Sequence, residues 1–195
     1  MKTKVFTVVG MVLLFTTGIF AQNSNKRFGF EINGGASLAT KELNNTSLNV
    51  GGGYELLLHY RLMTHLGAYA GWGWNKLSAD NSFAGNDVCF EETGYLLGLQ
   101  FTHPIGDSPF SYYLRGGALY NHIETENSEG DIINDTGHGL GFQLAGGASY
   151  DLGKSWSLTA GLKFNALNRD TDFNGTMMNF DYHYLSLRIG LIKQF

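Results

Sequence analysis

Proline and cysteine are nearly missing from this sequence, with two prolines and one cysteine in 195 residues. A lone cysteine, Cys89, cannot close an internal disulfide, so no disulfide framework holds the fold. Two prolines against 27 glycines exclude a collagen-like helix, which needs glycine at every third position together with proline. Charge is also scarce. Charged residues make up 15%, below the roughly 25% of an average soluble domain. A disordered chain would be charged and poor in aromatics, whereas aromatics here reach 14%. The formal net charge of −4 lacks the basic excess of a nucleic-acid binder, so no nucleic-acid partner is expected. Beyond the amino-terminal segment, no apolar run reaches the ~18 residues of a helical membrane span.

The amino terminus itself reads as a targeting segment. Lys2 and Lys4 precede the apolar run Val5 to Phe20, and Ala21 stands at a small-residue cut site before Gln22. That order of charged, apolar and small residues marks a secretory signal peptide over residues 1–21. Residues 22–195 are then the folded domain. No cysteine follows the cut, so no lipid anchor is expected there.

What the remaining sequence has in quantity is alternation of period two. Leu66, Ala68, Ala70, Trp72 and Trp74 share one face, opposite Gly67, Tyr69, Gly71, Gly73 and Asn75. Trp156, Leu158, Ala160, Leu162 and Phe164 share one, opposite Ser157, Thr159, Gly161, Lys163 and Asn165. Eight such segments begin near Phe28, Leu48, Leu66, Gly94, Phe110, Leu140, Trp156 and Tyr184. Each is near the ~9–11 residues that cross a bilayer at a tilt. Leu57 and Leu96 are exceptions to the pattern.

The connections alternate too. Residues 62–65, 103–109 and 152–155 are short, whereas 39–46, 78–87, 125–137 and 168–179 are longer and polar. Short turns on one rim and long loops on the other point to an all-β fold: an eight-stranded antiparallel up-and-down transmembrane barrel. Volume decides which face is inside. An eight-stranded barrel holds little more than its own side chains, and the apolar face, with three tryptophans, would overfill it. The apolar face therefore meets lipid and the glycine-rich polar face fills the lumen. Aromatics near strand ends, among them Phe28, Tyr60, Trp74, Phe110 and Trp156, fit interfacial girdles.

Five inward charges stand at similar depth when counted from the short-turn rim: Glu31, Glu55, Arg115, Lys163 and Arg188. An unpaired charge is costly in a partly dry lumen, so these groups are expected to pair and plug the barrel. First and last strands become neighbours at closure, which predicts an approach of Arg188 to Glu31. The glycine runs at 51–53 and 71–73 sit within strands, where close packing rather than phosphate binding explains them. Asp170, Asp172, Asn174 and Asp181 stand at positions 1, 3, 5 and 12 of a run with Gly175 at position 6, the spacing of a calcium loop. Position 12 is Asp where such loops have Glu, and strands flank the run. Turn chemistry of Asp and Asn explains the same residues and is preferred, so no metal or other cofactor is expected.

The leader, the eight strands and the final run Tyr184-Leu-Ser-Leu-Arg-Ile-Gly-Leu-Ile-Lys-Gln-Phe195 are similar to the small OmpA/OmpX-type outer-membrane barrels of Gram-negative bacteria. The resemblance implies an outer-membrane location with long loops extracellular, both termini periplasmic, and lipid and lipopolysaccharide around the wall. Leu187, Ile189, Leu191 and the terminal Phe195 resemble the signal read by the barrel-assembly machinery, although Lys193 departs from it. OmpA adds a peptidoglycan-binding domain, which is not expected here. Some barrels of this size modify lipid A with a His–Ser pair. His122, His138 and Ser128, with Glu124, Glu126 and Glu129 nearby, are the residues available, but no family spacing matches, so no catalytic residue is assigned. The expected function is a non-enzymatic structural or surface-interaction role, with an extracellular partner reached through the long loops. A small-solute pore is the alternative, and a lipid A-modifying enzyme the third.

Overall fold

Period-two alternation requires extended backbone, and the chain supplies it almost throughout. The computed structural model describes residues 26–173 and 175–195; the leader expected over residues 1–21 lies outside the described residues. Nine antiparallel strands follow in order: β1 (Phe28–Ala39), β2 (Gly51–Arg61), β3 (Leu66–Ser82), β4 (Gly85–Pro104), β5 (Phe110–Glu126), β6 (Ile132–Asp135), β7 (Gly139–Gly153), β8 (Trp156–Phe173) and β9 (Thr176–Gln194). They form one sheet in the order β4-β3-β2-β1-β9-β8-β7-β5-β6, and β4 also pairs with β5. That pairing closes a ring of the eight long strands, the expected barrel. The four-residue β6 is an addition to β5 above the point where β7 departs. First and last strands pair from Gly29↔Gln194 to Ala39↔Tyr184. Within the ring every long strand is paired on both sides, as lipid demands; the ends of β3, β8 and β9 rise beyond it as hairpins paired on one side.

The short turns fall where expected. The tightest, Lys154-Ser155, has both residues at positive φ (51° and 67°), the conformation of a two-residue hairpin turn. The long connections differ from expectation. Residues 78–87 and 168–179 are not loops but continued hairpins, paired to Ser82↔Gly85 and Phe173↔Thr176. Cys89, which has no partner for a disulfide, lies within β4 and is half-buried.

The reason is that the alternation inverts there instead of stopping. On β3 the outward residues change from Trp72 and Trp74 to Lys76, Ser78 and Asp80, while the inward ones change from Gly73 and Asn75 to the buried Leu77 and Ala79. Parity along the strand is unbroken. On β5 the inward set ends with Ile123 and Thr125, and on β9 it begins with Phe180 and Tyr182. Below the inversion lipid bathes the wall, and above it water does, so the hydrophobic effect drives the apolar side chains inward only there. The result is an apolar cluster inside the upper barrel, built from Leu77, Val88, Phe90, Ile123, Leu167, Phe180 and Tyr182. Leu43, in the β1–β2 connection, is fully buried in it. Phe83, at the β3–β4 tip, packs edge-on against Phe173 and Phe180 at 5.4 Å each.

The lipid-facing band runs on β5 from Phe110 to Tyr120, about 33 Å of strand and about 25 Å of height at a ~40° tilt. Aromatic pairs mark both margins: Phe28–Tyr60 and Phe110–Tyr150 at 4.9 Å near the short turns, Tyr54–Trp74 at 5.6 Å near the inversion. Inside, the glycines make room for rings. A Cβ added to Gly98 or Gly117 would come within 2.6 Å of the Tyr69 hydroxyl. Leu57 and Leu96, which broke the pattern, point into the lumen and are buried.

Candidate functional site

The lumen is layered. At the short-turn end lies an open vestibule of about 340 Å³, lined among others by Arg27, His59, Gln100, Tyr113, Arg115 and Thr159. Its inner end is a charge layer. Arg115, on β5, reaches across to Glu31 on β1, with Nη1–Oε1 at 3.1 Å and Nη2–Oε2 at 2.5 Å. His59 Nε2 stands 2.8 Å from Glu31 Oε2, and Arg115 Nε donates to Gln100 Oε1 at 2.6 Å. Tyr69 and Tyr113 flank the guanidinium at 5.6 and 4.7 Å. One step further in, Lys163 donates to Glu55 at 2.6 Å, and Gln143 and Asn33 also donate to that carboxylate at 2.8 and 3.2 Å. The void among Glu31, Glu55, Arg115, Lys163 and Arg188 is about 10 Å³, room for about one water.

Four of the five expected lumen charges thus form two pairs. The fifth corrects the sequence reading: Arg188 does not meet Glu31. The register sets Arg188 opposite Gly35 and Glu31 opposite Ile192. Four residues of stagger separate them along β1, about 13 Å. Equal counts from the rim therefore do not give equal depth, because closure imposes this offset between neighbouring strands. Arg188 donates instead to the Gly53 carbonyl, to Asn75 Oδ1 at 3.2 Å and to Ser186 Oγ at 3.4 Å.

Sequence reasoning missed the next layer. Glu92 is buried, accepts hydrogen bonds from Asn121 and the Tyr184 hydroxyl, and has no cation within ion-pair distance among the described residues. Arg169 is buried nearby and donates to the carbonyls of Leu140, Asn168, Asn121 and Gly139. Parity was the available signal. Stepping by two from Lys163 through Asn165 and Leu167 reaches Arg169 on the inside, once β8 is allowed to continue. The apolar cluster of Leu43, Phe90 and Phe180 lies beyond this layer.

Outside the upper barrel the wall is acidic. Among the described residues its outward cations are Lys41 and Lys76, and both are engaged: Lys41 with Asp181, and Lys76 with Glu126 and, at 3.5 Å, Glu91. The Lys41 hydrogen bond holds the Asp181 carboxyl below the usual carboxylate range, and Glu126 holds the Lys76 ammonium above its own. His122 and His138 stack with ring centroids 4.5 Å apart, and His122 Nδ1 faces Asp135 and Glu124. Ser128 is at the exposed tip between Asn127 and Asp131.

The calcium-like run does not wrap around a centre. Asp170 pairs with Asn179, and Asp181 with Asn168, on facing strands. Asp170 Oδ1 accepts from Asn179, and Asp172 Oδ1 accepts the Gly175 amide at 2.7 Å, which is turn chemistry. Asn174 lies outside the described residues. At the carboxyl terminus Leu187 and Ile189 are exposed on the lipid face, and the Phe195 amide donates to the Phe28 carbonyl at 2.8 Å. Lys193, which departs from the terminal pattern, places its ammonium 4.8 Å over the Trp156 ring.

Known proteins resemble this chain in architecture more than in sequence. No curated protein sequence matches it. Among solved structures, surface protein A (NspA) of Neisseria superposes with a TM-score of 0.64 at 13% identity, over 89% of this chain and all of that one. Ail of Yersinia pestis, in complex with the heparin analogue sucrose octasulfate, gives 0.52 at 13% identity, over 87% and 99%. Outer membrane protein W of E. coli gives 0.54 at 12% identity, over 89% and 100%. The profile of the outer membrane protein beta-barrel domain matches residues 7–191. With the closed ring, its lipid-facing band and that match, the chain belongs to the family of small outer-membrane β-barrel proteins.

Proposed function

We propose that this protein is a closed, non-enzymatic barrel that conducts no solute and acts at the cell surface through its acidic crown. The observation that carries the first half is the packing above the vestibule, where the Glu55–Lys163 and Glu31–Arg115 pairs leave a void of about 10 Å³. A solute leaving the vestibule would have to break buried ion pairs and then displace the apolar cluster, so the pore reading is not favoured. In this reading the long hairpins are extracellular and both termini periplasmic, the usual arrangement of short periplasmic turns and longer outer loops.

The crown selects its partner by charge. Ail was crystallised with a polyanion; the wall here, with Lys41 and Lys76 both bound to carboxylates, repels one. A basic polypeptide surface is the complementary class, with lipopolysaccharide and lipid surrounding the band below. The His–Ser chemistry of a lipid A enzyme is not favoured: His122 faces carboxylates as a catalytic base would, but Ser128 stands at the exposed loop tip with no hydrogen bond to His122 or His138 among the described residues. Leu187, Ile189 and Leu191 on the last strand, with Phe195 just after it, are the segment proposed to be read by the barrel-assembly machinery.

Protease sites placed in Asn127–Asp131 and in Gly153–Lys154 test the orientation on intact cells. Cleavage at the first alone is expected, and cleavage at the second alone would reverse the barrel. Proteoliposomes exposing the crown are expected to bind oligolysine and not heparin. The opposite preference would overturn the proposed partner class.

A further inference from the structure

Metal-ligating side chains converge on the outer wall where β5 meets β6. His122 and Glu124 stand two residues apart on the outward face of β5, and Glu124 lies opposite Asp135 on β6. His122 Nδ1 is 3.1 Å from Asp135 Oδ1 and 3.7 Å from Glu124 Oε1. One ligand atom from each of the three lies within 4.8 Å of the others. Ligands held tetrahedrally around zinc at about 2.0–2.2 Å are separated by about 3.3–3.6 Å. Two of the three spacings already bracket that value, and small side-chain rotations supply the third.

The scaffold is set before any ion arrives. The Ile123 amide donates to Thr136 Oγ1 at 2.9 Å, and the Thr136 amide returns a bond to the Ile123 carbonyl at 3.0 Å, which ties Asp135 to the level of His122. A second, independent feature fixes the imidazole. His138, from the connection to β7, lies flat on His122 with ring planes 16° apart, and packs in turn on Tyr120 at 5.2 Å. A stacked ring defines the plane in which Nδ1 points, and it brings a second imidazole to a site already holding a nitrogen and two oxygens.

We propose that His122 Nδ1, Glu124 and Asp135 bind one divalent transition ion of the zinc class at the long-loop end, with His138 as the positioning residue. The donor set argues the class. One imidazole with two carboxylates suits a borderline ion of low coordination number, whereas calcium takes six to eight oxygens. Asp135 is about half exposed, with 47% of its side chain open to solvent, so the fourth position faces water and the ion has a direct path in. Bound there, the ion would neutralise part of the acidic crown and clamp β6 to the barrel wall.

The test uses the full-length folded barrel without an affinity tag, stripped with chelator, and zinc alone as the probe. Calorimetry is expected to show saturation at one ion per chain, and cobalt in place of zinc to give the intense visible absorption of a tetrahedral site. His122→Ala and Asp135→Asn should each weaken binding more than about tenfold, since removing even an outer-shell partner costs 10–100-fold in metal sites. Retained heat-dependent gel mobility will show that each variant folds, and either variant alone suffices. Glu129→Gln at the loop tip and His183→Ala beside Asp181 should leave affinity unchanged, and calcium should not compete. Absence of saturable zinc binding would overturn the proposal. So would equal loss in the Glu129 or His183 variant, which would mean diffuse attraction to the acidic wall.

Discussion

Replacing Glu55 by Gln keeps the shape of the side chain and deletes its charge, leaving the Lys163 ammonium buried without its counter-ion. The magnitude follows from where the pair sits. Glu55 and Lys163 are 4% exposed each, and neither lines the vestibule. The void beside them admits about one water, so water cannot replace the lost carboxylate. Breaking one partner of a buried pair costs about 3–5 kcal/mol, and Glu55→Gln is expected near the top of that range. Glu31→Gln should fall near the bottom, because Arg115 borders the vestibule and keeps Gln100 as an acceptor at 2.6 Å. Arg188→Ala should cost less, about 1–3 kcal/mol, since it leaves only neutral acceptors unpaired. The double variant Glu55→Gln with Lys163→Met removes the orphaned charge and should be more stable than Glu55→Gln alone. Urea unfolding in lipid vesicles, followed by tryptophan fluorescence and gel mobility, measures all four. A cost for Arg188→Ala equal to that for Glu55→Gln, or no recovery in the double variant, would refute the assigned pairing.

Three further outcomes follow from the upper barrel and the terminus. Leu43→Ala should destabilise by about 2–5 kcal/mol, as for other buried leucines, and should open the β1–β2 connection to protease first; equal resistance would deny the connection its apolar anchor. The Lys41–Asp181 contact should persist from neutral pH down to about pH 4. Its carboxyl is held below 3.8 in the fold, so the contribution is complete above the unfolded value and lost only as pH falls through the lower folded one. Limited proteolysis across that range would show an earlier loss if the contact were absent. Deleting Phe195 should lower outer-membrane yield and leave unfolded chain in the periplasm, read by fractionation; unchanged yield would remove the assembly role.

The barrel was legible in the sequence because lipid imposes one sign on each face over a full strand. Trp156 to Phe164 shows this, with every second residue apolar and serine, threonine, glycine and lysine between. The upper hairpins were not legible as strands because their outer solvent is water. Lys76, Ser78 and Asp80 look like a polar loop unless the inward Leu77 and Ala79 are read with them. The same boundary hid Arg169 and Glu92. Inward charges could be named by parity alone, but their partners could not. Pairing across a lumen depends on register between strands distant in sequence, and one offset of four residues separated Arg188 from Glu31. The cluster of His122, Glu124 and Asp135 needed β6, a strand too short for any alternation to reveal.

Closure of the lumen is the claim on which the functional reading turns, and current through the unmodified protein in a planar bilayer tests it most directly. The packing of Glu55, Lys163 and Arg188 around a void of about 10 Å³, beneath the apolar cluster, predicts no steady single-channel current, even under conditions in which inserted protein is confirmed by its folded gel mobility. A large, stable current from the unmodified chain would contradict it and restore the pore.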